Sequence, residues 1–184
     1  MDVPNAAQGS PDPAAQGTRT GVLTSCPSRV RSQQGGSRVR ALFIDAFADS
    51  AAAVVASRLG APVRRGKPSG GSPSHAVSGV AALVGLTGEL QGRLMLDLDP
   101  PAAATLCGPA RGRQRSAAGL AEEVTARALA VLRGEGVRVD ATPPMVFTGR
   151  NLEVTTSRME TVAVPIAVRE GMLVVSLGAR EAEG

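Results

Sequence analysis

"VSGVAALVGLTGELQGRLMLDL", residues 77–98, sets two apolar runs on either side of a short segment bracketed by glycines. In the second run Leu94, Leu96 and Leu98 alternate with Arg93, Met95 and Asp97, the period of a strand with one buried face. "TGELQG" between the arms, with glycines at 88 and 92, predicts a tight hairpin and so an antiparallel sheet. These glycines are not a phosphate loop, because "GLTGELQG" has no Lys followed by Ser or Thr and leads into a strand.

Upstream, "ALFIDAFADSAAAVVASRLG" (41–60) has the helical period, with Phe43, Phe47, Ala51 and Val54 on one side, Ile44 and Val55 flanking them, and Asp45 and Asp49 projecting away. Gly60 suits a left-handed cap. The two aspartates are four apart, but no third ligand lies nearby in sequence, so a solvated face is expected and not a metal pair. "PVRRGKP" (62–68) reads as a short extended piece and "SGGSPSH" (69–75) as a flexible connection. It carries the single histidine, His75, without a nucleophile or ligand partner beside it.

Downstream, "DPPAAATLCG" (99–108) opens a short helix with prolines in its first turn, where no N–H partner is lost. "RGRQRS" (111–116) reads as a charged loop, and "AGLAEEVTARALAVL" (118–132) as a second long helix. On that helix Leu120, Val124, Ala128, Val131 and Leu132 form the expected buried stripe, while Gly119, Glu122, Ala126 and Arg133 gather on the outer face. A gap, a carboxylate and a small side chain would let another surface come close. "VRVDATPPMVFTG" (137–149) gives a strand, a Pro-Pro break and more extended chain, and residues 152–178 add alternating strands around a turn at "REG". Together these elements predict an α+β domain, an antiparallel sheet of about five to six strands with two long helices packed on one face.

Composition narrows the classes. Three phenylalanines are the only aromatic residues, so there are almost no rings on which bases could stack, and the net charge of +4 is a poor argument for nucleic acid. That charge sits mainly before residue 41, in five arginines against Asp2 and Asp12. Residues 1–39 mix Pro, Gly, Gln, Ser and Arg without period and are expected to be a disordered tail, with the domain over 40–178 and a flexible C-terminus over 179–184. Cys26 and Cys107 lack close Cys or His neighbours, which reads as a reduced cytoplasmic protein without a metal site. "LTSC" (23–26) imitates a lipoprotein cleavage site but follows no apolar stretch, and no apolar run is long enough to span a membrane.

The order of features resembles the CheX-like family of chemotaxis phosphatases, in the group with CheC and FliY. The matching pieces are "FIDAFADSAAAVVASRLG", "VRRGKP", "VGLTGELQGRLMLDL", the central helix running into "GEGVRVDATPPMVFTG", and the final strands ending "GMLVVSLG", together spanning residues 41–178. The resemblance implies a protein, often a homodimer, that removes the aspartyl phosphate of a CheY-like response regulator. A Glu-x-x-Asn pair on the central helix does this, the regulator supplies the Mg²⁺, and the phosphatase needs no cofactor of its own.

Here the pair is degenerate. Alignment on "GEGVRVDATPP" puts Gly119 at the family's Glu and Glu122 at its Asn; a register one turn later pairs Glu122 with the Glu and Thr125 with the Asn, toward the buried edge. The only asparagines, Asn5 and Asn151, lie elsewhere. Glu122 and Thr125 are thus the candidate catalytic residues, and Gly119, Glu122, Ala126 and Arg133 the candidate partner contacts. A carboxylate in place of the amide accepts hydrogen bonds but donates none. Three readings stand: a divergent regulator phosphatase, a docking module of the same shape without hydrolysis, and a structural oligomer built through sheet edges.

Overall fold

The structure, a computed structural model, describes residues 30–71, 74–77, 79–149, 152–155 and 159–181. In chain order the elements are α1 (Val30–Leu59), β1 (Arg64–Arg65), β2 (Ser69–Gly71), β3 (Ser74–Val77), β4 (Val80–Gly88), β5 (Leu90–Leu98), α2 (Pro100–Cys107), α3 (Arg113–Gly134), β6 (Val139–Ala141), β7 (Met145–Thr148), β8 (Leu152–Thr155), β9 (Thr161–Val168) and β10 (Gly171–Glu181).

The hairpin forms as its glycines demand. β4 and β5 pair from Val80↔Leu98 to Leu86↔Gly92, and the turn closes at Glu89. Gly88 sits at φ 117°, where a Cβ would also meet the Arg138 carbonyl oxygen at 2.5 Å, so no other residue fits this turn unstrained. At Gly92 the limit is steric, since a Cβ there would stand 2.2 Å from the carbonyl oxygen of Gly178 on the neighbouring β10.

Every strand pair is antiparallel, and the main sheet runs β1-β9-β10-β5-β4-β6, with β2 also on β9 and β7 also on β4. Its eight strands exceed the five to six expected, yet the sheet is six positions wide. Each outer position is shared by two short strands: Gly66–Pro68 separates β1 from β2, and Pro143–Pro144 separates β6 from β7. Proline has no N–H for the ladder, which explains why both interruptions fall on edges.

The helices α1 and α3 cover one face together, α1 over β9 and β10 and α3 over β4, β6 and β7. Between them and the sheet lies the core: Phe43 and Phe47 from α1, Leu120, Val124 and Leu132 from α3, Leu94, Leu96 and Leu98 from β5, and Leu173, Val175 and Leu177 from β10. The alternation seen in sequence is thus the buried face of β5. On the opposite face a second small sheet, β3 with β8, packs Val77 and Val154 against Ala81, Leu83 and Met95.

Four expectations are corrected. α1 begins at Val30, not near residue 41, because extending a helix already anchored by its apolar stripe costs far less than starting one. "SGGSPSH" is not a plain flexible link, since Ser69–Gly71 pairs with β9 and Ser74–Val77 with β8; residues 72–73 lie outside the described residues. "RGRQRS" is only partly loop, as α3 already starts at Arg113. The last strand continues to Glu181, with Ala179, Arg180 and Glu181 opposite Gly92, Gln91 and Leu90 and Arg180 donating to the Gln91 Oε1, so these three residues are sheet and not a flexible end. Of the tail, residues 1–29 lie outside the described residues, as do 182–184.

Asp99 joins two layers. Its Oδ1 accepts from the N–H of Ala102 (2.8 Å), capping α2, and its Oδ2 accepts from the N–H of Met172 at the start of β10 (2.9 Å). Asp99→Ala is expected to cost about 2 kcal/mol, since it removes a helix cap and a strand bond together. Urea unfolding of the variant checks this.

Candidate functional site

The outer face of α3 is presented to solvent much as its sequence pattern requires. Glu122, Ala126 and Arg133 are exposed and Gly119 is half-buried, while Leu120, Val124, Ala128 and Leu132 are fully buried beneath them. Val131 departs from the expected stripe at 45% exposure. The buried arc also takes in Ala117, Ala121 and Thr125, which shifts its centre and leaves Val131 on the rim of the last turn.

Two adjacent glutamates have different fates. The Glu123 Oε2 accepts from the Arg58 Nη2 (2.9 Å) and Nε (3.2 Å), which ties α3 to the end of α1. Glu122 makes no ion pair among the described residues and is the carboxylate left for a partner.

Beside Glu122 lies a groove of about 340 Å³, its walls formed by Ala126 and Leu129 of α3, Val84 of β4, and the Ala141–Pro144 link between β6 and β7. The Pro-Pro break creates it. β4 is continuous, but its edge partner is β6 at Leu86–Gly88 and β7 at Val80–Leu83, and between them the chain swings off the ladder. Thr142 closes the gap in hydrogen bonding: its N–H donates to the Gly85 carbonyl (2.9 Å), and its Oγ1 accepts from the Gly85 N–H (2.9 Å). Thr142→Val keeps the shape and removes that acceptor, so it should lower stability by about 1 kcal/mol, and Thr142→Ser by less. Thermal unfolding of the two variants side by side distinguishes them.

Thr125 lines the same groove yet is only 6% exposed, and its buried Oγ1 has no hydrogen-bond partner among the described residues. The structure therefore brings Glu122 and Thr125 to one groove, with the carboxylate at the surface and the hydroxyl below it. α3 also carries one carboxamide that its longer N-terminus brings onto the helix. This is Gln114, held in the first turn by a bond from its Nε2 to the Thr148 Oγ1 (3.2 Å), about two turns from Glu122.

Other candidates are absorbed by the fold. Asp45 and Asp49 both accept from the Arg65 guanidinium on β1, at 2.6 and 2.5 Å. Partial burial would lower the pKa of Arg65, but those two bonds outweigh it and raise it. Among the described residues no group of three or more His, Cys, Asp and Glu could hold a metal. Cys107 is a buried free thiol whose pKa burial pushes up, against the lowering effect of Arg58 and Arg113, so it is held away from the thiolate. His75 lies on β3, opposite Val154. No helix among the described residues is long and apolar enough to cross a membrane, which does not bear on β-barrels.

The antiparallel sheet with two long helices on one face is the fold of the CheX and CheC chemotaxis proteins. The CheX protein of Desulfovibrio desulfuricans superposes with a TM-score of 0.69 at 16% identity, over 75% of this chain and 99% of its own. A CheC-like superfamily protein from Shewanella sp. PV-4 gives 0.67 at 21%, over 76% and 97%. A chain of the CheX–CheY–BeF₃–Mg²⁺ complex of Borrelia burgdorferi gives 0.62 at 23%, over 76% and 98%. No family model and no curated protein matches the chain in sequence.

The groove walls and Thr142 went unseen in the sequence. Their one signal was "TPP", which marks a break but not what the break exposes.

Proposed function

We propose that this chain is a docking module for a phosphorylated CheY-like response regulator, engaged through the outer face of α3. The observation that carries it is the juxtaposition on one helix of an exposed carboxylate, Glu122, without an ion pair among the described residues, small neighbours at Gly119 and Ala126, and an apolar groove alongside. Small side chains let a second backbone approach, the groove accepts an apolar side chain, and the carboxylate can pair with a lysine on the regulator. A structure of this fold solved with CheY, BeF₃ and Mg²⁺ supports the choice of partner.

On this reading hydrolysis is slow or absent. A phosphatase of this shape must position water for in-line attack, and phosphoryl transfer asks mainly for that positioning. At Glu122 a carboxylate would face a phosphoryl dianion, a repulsion of roughly 1 kcal/mol per unit charge pair at ~4 Å in water and more in a closed interface. One observation favours a second reading, in which the chain does hydrolyse: Thr125, beneath Glu122, keeps a hydroxyl without a hydrogen-bond partner among the described residues. Because its Oγ1 is shut off from solvent here, a docking regulator would have to uncover it before it could bind a water. Any Mg²⁺ would come with the regulator, and the module itself would pair as a homodimer, a state that sedimentation measures directly.

The test charges a CheY-like regulator with acetyl phosphate and follows its decay with and without the protein, alongside binding. Binding with unchanged decay supports the docking module. Accelerated decay that is lost in Thr125→Val supports the second reading. Absence of both with every regulator of the source organism overturns the signalling role.

A further inference from the structure

We propose that the start of α3 forms a second binding site, for a small phosphate-bearing molecule, separate from the docking face and independent of it. A cavity of about 810 Å³ opens between the α2–α3 loop, the first turn of α3, the start of β4 and the end of β7. This is a size typical of small-molecule sites, which run to about 300–1,000 Å³.

Its polar lining is of one sign. Arg111, Arg113 and Arg115 all border it, with Gln114 and Thr148, and among the described residues no carboxylate does. None of the three guanidiniums is paired with a carboxylate among the described residues. Arg111 and Arg115 are exposed and form no ion pair among the described residues. No acid follows either at helical spacing, since Arg115 is succeeded three and four residues on by Ala118 and Gly119. Arg113 is fixed in place by donating Nε (3.2 Å) and Nη2 (3.1 Å) to the Gly108 carbonyl, which leaves the rest of its guanidinium fork for a ligand.

The backbone adds the same sign. α3 has no acidic residue in its first turn, and its N-cap, Gly112, contributes no side-chain acceptor. Positive side chains gathered at the positive end of a 22-residue helix oppose one another and the helix dipole. Among the described residues no protein group compensates for this break of a local rule, and a bound anion would supply the compensation. Val80, Pro100 and Ala110 give the cavity apolar walls, which suits a phosphate carried on a small organic body more than an extended polyanion on an open surface.

The probe is inorganic pyrophosphate, titrated calorimetrically into the full chain at constant ionic strength, with a short oligonucleotide and a vesicle of phosphatidic acid as separate arms. Pyrophosphate is expected to bind saturably. Arg111→Ala with Arg115→Ala should weaken it roughly tenfold or more. The same pair of changes should leave the ligand-free unfolding midpoint unchanged or higher, because like charges are removed from the helix start. Arg127→Ala with Arg138→Ala, which alters two exposed arginines away from the cavity, should leave affinity unchanged. No saturable binding, equal loss in both double variants, or binding of oligonucleotide or vesicle that pyrophosphate does not displace would each overturn the proposal.

Discussion

Gly119→Glu combined with Glu122→Asn is expected to give a protein that dephosphorylates its regulator on the order of 10²-fold faster than the unaltered chain, the usual worth of one well-placed polar group in a transition state. The fold has room for the change. A Cβ at Gly119 would meet nothing within 4 Å, and Glu122 is exposed, so neither new side chain must displace a neighbour. Replacing a mid-helix glycine also adds about 0.5–1 kcal/mol of helix stability, so the variant should fold at least as well. The regulator's phosphoryl lifetime is the readout. An unchanged lifetime with binding retained would place the reactive pair elsewhere on α3 and turn attention to Glu122 with Thr125.

The second large effect is on stability. Phe47→Ala is expected to cost about 3–5 kcal/mol, a large share of the roughly 5–15 kcal/mol that holds a domain of this kind together. Phe43 and Phe47 are both fully buried, with ring centroids 4.9 Å apart in a tilted pair, and the chain has only one further aromatic residue. Aliphatic side chains and alanines fill the rest of this core, and close packing leaves them little freedom to collapse into the gap. Equilibrium urea unfolding measures the loss; a cost below about 1 kcal/mol would mean the site repacks.

Where one residue type forces one conformation, the sequence was legible. Leu94, Leu96 and Leu98 alternate because they face the helices, Gly88 turns the hairpin because its φ is positive, and Phe43 with Phe47 marks the buried side of α1. Position across the sheet was less legible. Nothing local in "SGGSPSH" says that its two halves pair with β9 and β8, strands about 80 to 90 residues downstream. The outer face of α3 was read from periodicity alone; Glu122, Ala126 and Arg133 are exposed where the wheel puts them, whereas Val131, which the wheel puts in the buried stripe, is exposed too. The wheel could not show that Glu123 is claimed by Arg58 while Glu122 is left without an ion pair among the described residues, because that depends on where α1 ends. Nor could it show the groove, which needs β4, α3 and the proline link together.

The most direct measurement of the central claim is hydrogen–deuterium exchange of the full chain with and without a beryllofluoride-loaded CheY-like regulator. The account predicts new protection over residues 115–133 and the Ala141–Met145 link, abolished by Ala126→Arg, a bulky charge on the exposed ridge that leaves the buried stripe intact. Protection confined to the opposite face around β3 and β8, or full binding by the Ala126→Arg variant, would contradict it.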